Sequence, residues 1–252
     1  MVHIVADTST LYSTVQAQEA GFDVAPLSVT VAGSSYREFD EISSDEFVSI
    51  IRQGHLPTSS QPAVGEVVSI FESYPDDEVL NIAMADGLSG TYKSAVAAAE
   101  LCEGSDRITV LNSQTLCGPH RYMVETAVKL AQEGKTCKEI VAAVKELMAT
   151  EKSYLMPADF GYLRRGGRLS PLVSLVGQAA HLAPIMTTTE DGCQLTVAGV
   201  RRSFQQAIRQ VAKNLSDRGV GKDWRVYITH AAVPEKAAQA KEILLSMIPD
   251  AI

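Results

Sequence analysis

The chain has 252 residues, 46% of them hydrophobic and 21% charged, with a formal net charge of -8. This length supports one large domain or two modest ones with separate cores, and the balance is that of a globular protein. The acidic charge argues against a nucleic-acid partner, which would need a basic face for phosphates.

The first strand signal is His3–Ala6, ending at Asp7 and followed by Thr8-Ser9-Thr10. In open α/β sheets that end of a strand is where ligands gather, although Asp7 or Thr8 can equally cap the turn that follows. The pattern predicts a second strand over Asp23–Val31 and a turn at Ala32-Gly33-Ser34-Ser35. A helix starts at Ser43-Ser44-Asp45-Glu46, with Phe47, Ile50 and Ile51 on its apolar face. His55–Pro62 reads as a loop presenting three successive hydroxyls, Thr58, Ser59 and Ser60, with Pro62 in the first turn of the next helix. Such a loop can be merely solvated, or can offer several donors to one carboxylate or phosphate.

The segment from Leu80 to Glu100 reads strand, turn, helix. Ser89, Gly90 and Thr91 stand at the helix start, where Ser89 can act as an ordinary cap or the open N–H groups can hold an anion. A fourth strand is predicted over Arg107–Leu111, then helices over Cys117–Glu133 and Lys138–Met148, the second capped by Thr136 with Glu139. Beyond Thr150 the signals are a short strand at Tyr154–Met156, the basic segment Tyr162–Arg168, a nearly uncharged helix over Leu172–Ala183 and a hairpin pairing Pro184–Thr189 with Gln194–Ala198. A helix over Arg201–Leu215, a strand over Trp224–Thr229 and a helix over Pro234–Met247 complete the chain. Strand–helix alternation implies an α/β protein: residues 1–150 as a mostly parallel sheet with helices on both faces, residues 151–252 as an α+β domain with a largely antiparallel sheet.

Several chemistries lack their motifs. Neither G-x-x-x-x-G-K-[ST] nor G-x-G-x-x-G occurs, and Cys102, Cys117, Cys137 and Cys193 form no C-x-x-C pair, so free thiols are expected. The five histidines lack ligand spacing, so no metal is expected. Gly87-Leu88-Ser89-Gly90-Thr91 departs from the nucleophile-elbow pattern at its last residue; a serine hydrolase using Ser89, with Asp159 and His230 as partners, is the enzymatic alternative. No signal-peptide pattern occurs and no apolar run reaches the roughly 20 residues that span a bilayer, so a cytoplasmic place with at most transient membrane contact is expected.

Three segments, Thr58-Ser59-Ser60-Gln61-Pro62, Ser89-Gly90-Thr91-Tyr92-Lys93-Ser94-Ala95 and Tyr162–Arg168, behind a strand ending Asp7-Thr8-Ser9, resemble the signature set of the DegV family over the whole chain. The resemblance implies two α/β domains with a long-chain fatty acid held between them and no cofactor. It also implies a role as the binding subunit that presents the acyl carboxylate to a separate ATP-dependent fatty acid kinase. The carboxylate-holding hydroxyls correspond to Ser59, where many relatives have Thr, and Ser89, with Thr58, Ser60, Gly90 and Thr91 around them. Arg164, Arg165 and Arg168 are then candidates to compensate the head group or dock the kinase. Leu175, Val176, Ala179 and Leu182 are candidates to line the acyl tunnel, their alternative being plain core. A binder of another amphipathic anion is the remaining alternative. Relatives usually continue past the position of Ile252 with a strand and a histidine-bearing GTHTGPG-like loop, so truncation or an incomplete head site is expected here.

Overall fold

The computed structural model describes residues 1–170 and 182–251. By its contacts the chain divides into two compact units, Met1–Glu151 and Lys152–Ile252.

The first unit starts with β1 (Val2–Asp7), a 3-10 turn (Thr8–Thr10), α1 (Thr14–Ala20), β2 (Asp23–Ala25), β3 (Ser28–Val31), β4 (Ser34–Arg37), α2 (Ser44–Arg52) and β5 (Thr58–Ser60). It continues with α3 (Val64–Glu72), β6 (Glu78–Ala83), α4 (Thr91–Leu101), β7 (Ile108–Asn112), α5 (Cys117–Gln132) and α6 (Cys137–Thr150). The central sheet has the order β2-β1-β6-β7, and every pairing in it is parallel. Side chains alternate across it. Ile4, Ala6, Leu80 and Ile82 pack with Met123, Val124, Ile140 and Val144 of α5 and α6, whereas Val5 and Val79 pack with Val67, Phe71, Ala95 and Ala98 of α3 and α4. Both faces are therefore covered, which is why these strands read as nearly unbroken apolar runs.

A second sheet, of order β4-β3-β5, is antiparallel. It corrects two expectations. The single strand over Asp23–Val31 is two strands in two sheets, because Pro26 fixes φ and lacks the N–H that a continuous ladder would need. The loop His55–Pro62 contains β5, whose residues Thr58, Ser59 and Ser60 pair with Thr30, Val29 and Ser28. The turn at Ala32-Gly33 is a two-residue hairpin with φ of 51° and 82°, the left-handed pair that matches strand twist. Pro62 lies outside α3, whose N-cap is Ala63.

Local caps fall where the sequence puts them. Ser43 with Glu46, and Thr136 with Glu139, form reciprocal capping boxes. Arg107 closes a 3-10 turn instead of opening β7, and its guanidinium donates to the Phe71 and Tyr74 carbonyls at 3.0 and 2.8 Å.

The second unit contains α7 (Phe160–Arg165), β8 (Ala183–Thr188), β9 (Leu195–Arg201), α8 (Phe204–Asp217) and α9 (Pro234–Met247). β8 and β9 form an antiparallel hairpin with an irregularity between Ile185 and Met186. Ile185 packs with Ala207, Val211 and Leu215 of α8. Residues 154–156 contribute one bridge, Leu155 to Met186, instead of a strand. Trp224–Thr229 is no strand either: Trp224 and Val226 pack against the Ile185 cluster, so their alternation reflects burial of one face without a ladder. α8 begins at Phe204, capped by Ser203, because Arg201 belongs to β9. Of the helix expected over Leu172–Ala183, residues 172–181 lie outside the described residues and Ala183 opens β8.

Candidate functional site

The ends of β1 and β6 are tied together by Asp7. Its buried carboxylate accepts the Ser9 N–H at 2.9 Å and the Met84 N–H at 2.8 Å, so one side chain caps the 3-10 turn and holds the start of the β6–α4 loop. This is the capping role, with each carboxylate oxygen accepting one backbone N–H. Thr8 Oγ1 accepts the Leu27 N–H at 3.1 Å and donates to Glu38 at 2.8 Å. Burial pushes the Glu38 carboxyl up, the Thr8 hydroxyl opposes that, and the charge of Asp7 adds to the rise.

The β6–α4 loop turns sharply at Gly87, where φ is +94°. Ala85 N–H donates to Thr115 C=O at 2.9 Å and Asp86 N–H to Asn112 Oδ1 at 3.2 Å, fixing the loop to the end of β7. The sequence allows Ser89 as the helix cap. In the structure the N-cap of α4 is Gly90, which offers no side chain, and Thr91 is the first helical residue. Ser89 Oγ lies 2.8 Å from Thr91 Oγ1 and accepts the Thr91 N–H at 3.3 Å. Among the described residues, no bond occupies the N–H groups of Tyr92 and Lys93, whose partners would lie before the helix. Lys93 Nζ stands 3.6 Å from Asp86 Oδ1. Ser89 thus has a hydroxyl partner and, among the described residues, no imidazole within hydrogen-bond reach.

The hydroxyl segment reaches this helix start. Ser94 Oγ, buried, donates to the Pro62 C=O at 2.7 Å. The Gln61 side chain crosses Gly90 so closely that a β-carbon there would overlap its amide, coming within 2.7 Å of Cδ. Hence Gln61-Pro62 and Gly90–Ser94 are neighbours, and Ser59 lies two residues before Gln61. β5 imposes a limit: Thr58 and Ser60 point to one side of the strand and Ser59 to the other, so the three hydroxyls do not converge on one ligand.

The other candidates lie in the second unit. Asp159, a triad partner in the hydrolase alternative, caps α7 by accepting the Tyr162 N–H at 2.8 Å. The basic segment is therefore a short helix followed by Gly166 and Gly167. Arg164 and Arg165 sit in its last turn, Arg165 5.5 Å above the Tyr162 ring, and Arg168 donates to the Gly166 C=O. Leu182 is exposed, and Leu175, Val176 and Ala179 lie outside the described residues.

Sequence reading missed His120. It is fully buried on the first turns of α5, with Nδ1 2.7 Å from Ser9 Oγ and Nε2 2.8 Å from the Ile82 C=O. An isolated histidine carries no local pattern; its partners lie 111 and 38 residues away in the chain. Among the described residues no group of three His, Cys, Asp or Glu side chains is placed to hold a metal ion. Nor is any helix among them long and apolar enough to cross a membrane.

This is a mixed α/β protein: a parallel four-stranded sheet with hydroxyls gathered at its C-terminal edge, joined to a region built on an antiparallel hairpin. The chain belongs to the DegV family, whose model, described as that of uncharacterised DegV proteins, matches residues 1–251. A DegV domain-containing protein of Listeria innocua is 28% identical, covering 99% of this chain and 89% of its own length. One from Caldanaerobacter subterraneus is 33% identical over 79% of this chain and 71% of its own. Among solved structures, a DegV family protein from Thermus thermophilus, described for its fatty acid binding, superposes with a TM-score of 0.87 at 27% identity, covering 100% of this chain and 91% of its own. DegV of Bacillus subtilis, described as a fatty acid binding protein, gives a TM-score of 0.85 at 26% identity, covering 99% of this chain and 89% of its own.

Proposed function

We propose that this chain binds a long-chain fatty acid and presents its carboxylate to a separate ATP-dependent kinase that makes the acyl phosphate. The carboxylate is received at the start of α4 by the Ser89 hydroxyl and the N–H groups of Tyr92 and Lys93, with Ser59 approaching from β5 and Gly90 and Thr91 shaping the floor. The observation that supports this reading is the seating of Gln61-Pro62, which directly follow the first hydroxyl segment, on Gly90 and Ser94 at the start of α4. The fatty acid binding described for the Thermus and Bacillus relatives supports it.

The energetics are suitable. A chain of about 16 carbons gains roughly 0.8 kcal/mol per buried methylene, so the tail supplies most of the affinity and the head contacts fix its register. In this proposal the chain performs no chemistry at Ser89, whose hydroxyl, among the described residues, is engaged by Thr91 and not by a base. Its place of action is the cytoplasm, where a kinase and ATP are available.

Titration of palmitate into the Ser89→Ala variant tests the head site. Loss of a hydrogen bond to a charged group, about 1.5 to 3 kcal/mol, predicts affinity weakened about 10- to 100-fold with the fold intact. Unchanged affinity would place the carboxylate elsewhere.

A further inference from the structure

Fatty acid carriage makes no use of the hydroxyl–imidazole pair at the end of β1. Ser9 Oγ and His120 Nδ1 are 2.7 Å apart, and His120 Nε2 is 2.8 Å from the Ile82 carbonyl oxygen. That carbonyl can only accept, so Nε2 carries a hydrogen, and in the neutral ring Nδ1 offers its lone pair to the Ser9 hydroxyl. A hydroxyl within reach of a base, and the base oriented by a third group, is the arrangement that activates a nucleophile. The Ser9 N–H is held by Asp7, which fixes the backbone that carries the hydroxyl. His120 is buried, whereas Ser9 is only partly buried, just past the C-terminal end of a central parallel strand, where ligands of open α/β sheets collect.

We propose that Ser9 is a nucleophile, and His120 its general base, toward activated acyl compounds such as acyl phosphates and aryl esters. Ser9 Oγ forms a bond to the acyl carbonyl carbon while its proton passes to His120 Nδ1. The phosphate or phenolate departs with the electron pair of the broken C–O bond, and the proton on His120 is released to it or to solvent. Water then gives a proton to Nδ1 and adds its oxygen to the Ser9 ester, and Ser9 Oγ leaves and regains the proton. The sum is hydrolysis of one activated acyl bond without redox change.

The full chain is treated with a fluorophosphonate probe and with p-nitrophenyl esters, followed by intact mass measurement and peptide mapping. The expected result is a single adduct on the peptide carrying Ser9. Ser9→Ala lowers p-nitrophenolate release about 100-fold, the scale of general-base assistance, and Ser69→Ala, on the exposed side of α3, leaves it unchanged. Ser9→Cys, which keeps a nucleophile in place, is expected to gain a thioester from the same esters, with circular dichroism confirming the fold of each variant. Folded wild-type protein that takes no label at Ser9, or Ser9→Ala releasing p-nitrophenolate as fast as wild type, would overturn the assignment. The probes are small and need no acyl tunnel, so this outcome is independent of fatty acid carriage.

Discussion

The Gln61 side-chain amide lies across the α-carbon of Gly90, leaving no room for a β-carbon between the hydroxyl-bearing strand and the start of α4. Gly90 has φ of -74° and ψ of 5°, a conformation any residue can take, so the glycine is required by this close approach and not by its backbone. Gly90→Ala is therefore expected to push Gln61 aside and weaken palmitate binding at least tenfold. The melting temperature should fall by only a few degrees, because the displaced group is the end of a flexible side chain. Adding Gln61→Gly should restore affinity, which calorimetric titration of both variants checks.

The bond from Ser94 Oγ to the Pro62 C=O is the buried tie between the same two segments. Ser94→Ala leaves that carbonyl without its partner, a loss of about 1 to 3 kcal/mol. For a chain of this size, that corresponds to a melting temperature lower by roughly 2 to 12 °C. Ligand affinity should fall with it, and a variant with wild-type melting would show that the tie is dispensable.

Contacts within one turn of helix were legible in the sequence; contacts made across the fold were not. Ser43 with Glu46 and Thr136 with Glu139 are three residues apart, so spacing alone shows both caps. The β6–α4 turn was legible for the same reason, but the capping position moved from Ser89 to Gly90, since one residue decides which backbone N–H meets the hydroxyl. β5 could not be read from Thr58-Ser59-Ser60, because these residues are polar on both sides and become a strand only through β3. Trp224–Thr229 erred the other way: alternation without a neighbouring ladder gave no strand. Strand–helix order nevertheless sufficed for the α/β class, while the Ser9–His120 pair exists only once α5 folds against β1.

Glu38 gives a pH dependence of definite sign. Its carboxyl is pushed above the ordinary carboxylate value, chiefly by burial, so the folded chain holds a proton that the unfolded chain has already lost. Its contribution to stability is thus fullest below the unfolded value and declines as pH rises through the folded one. Glu38→Gln keeps an acceptor for Thr8 and removes the titration. Thermal melts from pH 4 to 8 should show a flatter profile for the variant than for wild type, and identical profiles would contradict the assignment.

Glu139 acts in the opposite sense. Hydrogen bonds from the Thr136 N–H and hydroxyl hold its carboxyl below the ordinary range, so the cap stabilises above that range and the benefit is lost as pH falls through the depressed value. Thr136→Ala is expected to destabilise by about 1 kcal/mol at neutral pH, and by less in acid. Urea melts at pH 7 and pH 3 provide the check.

The central claim is that this chain carries an acyl chain whose acid end rests at the start of α4. Purified protein, extracted with organic solvent and analysed by mass spectrometry, should release a long-chain fatty acid near one equivalent, and much less from Ser89→Ala. Extracts without any acyl chain, together with no uptake of added palmitate or oleate, would contradict it.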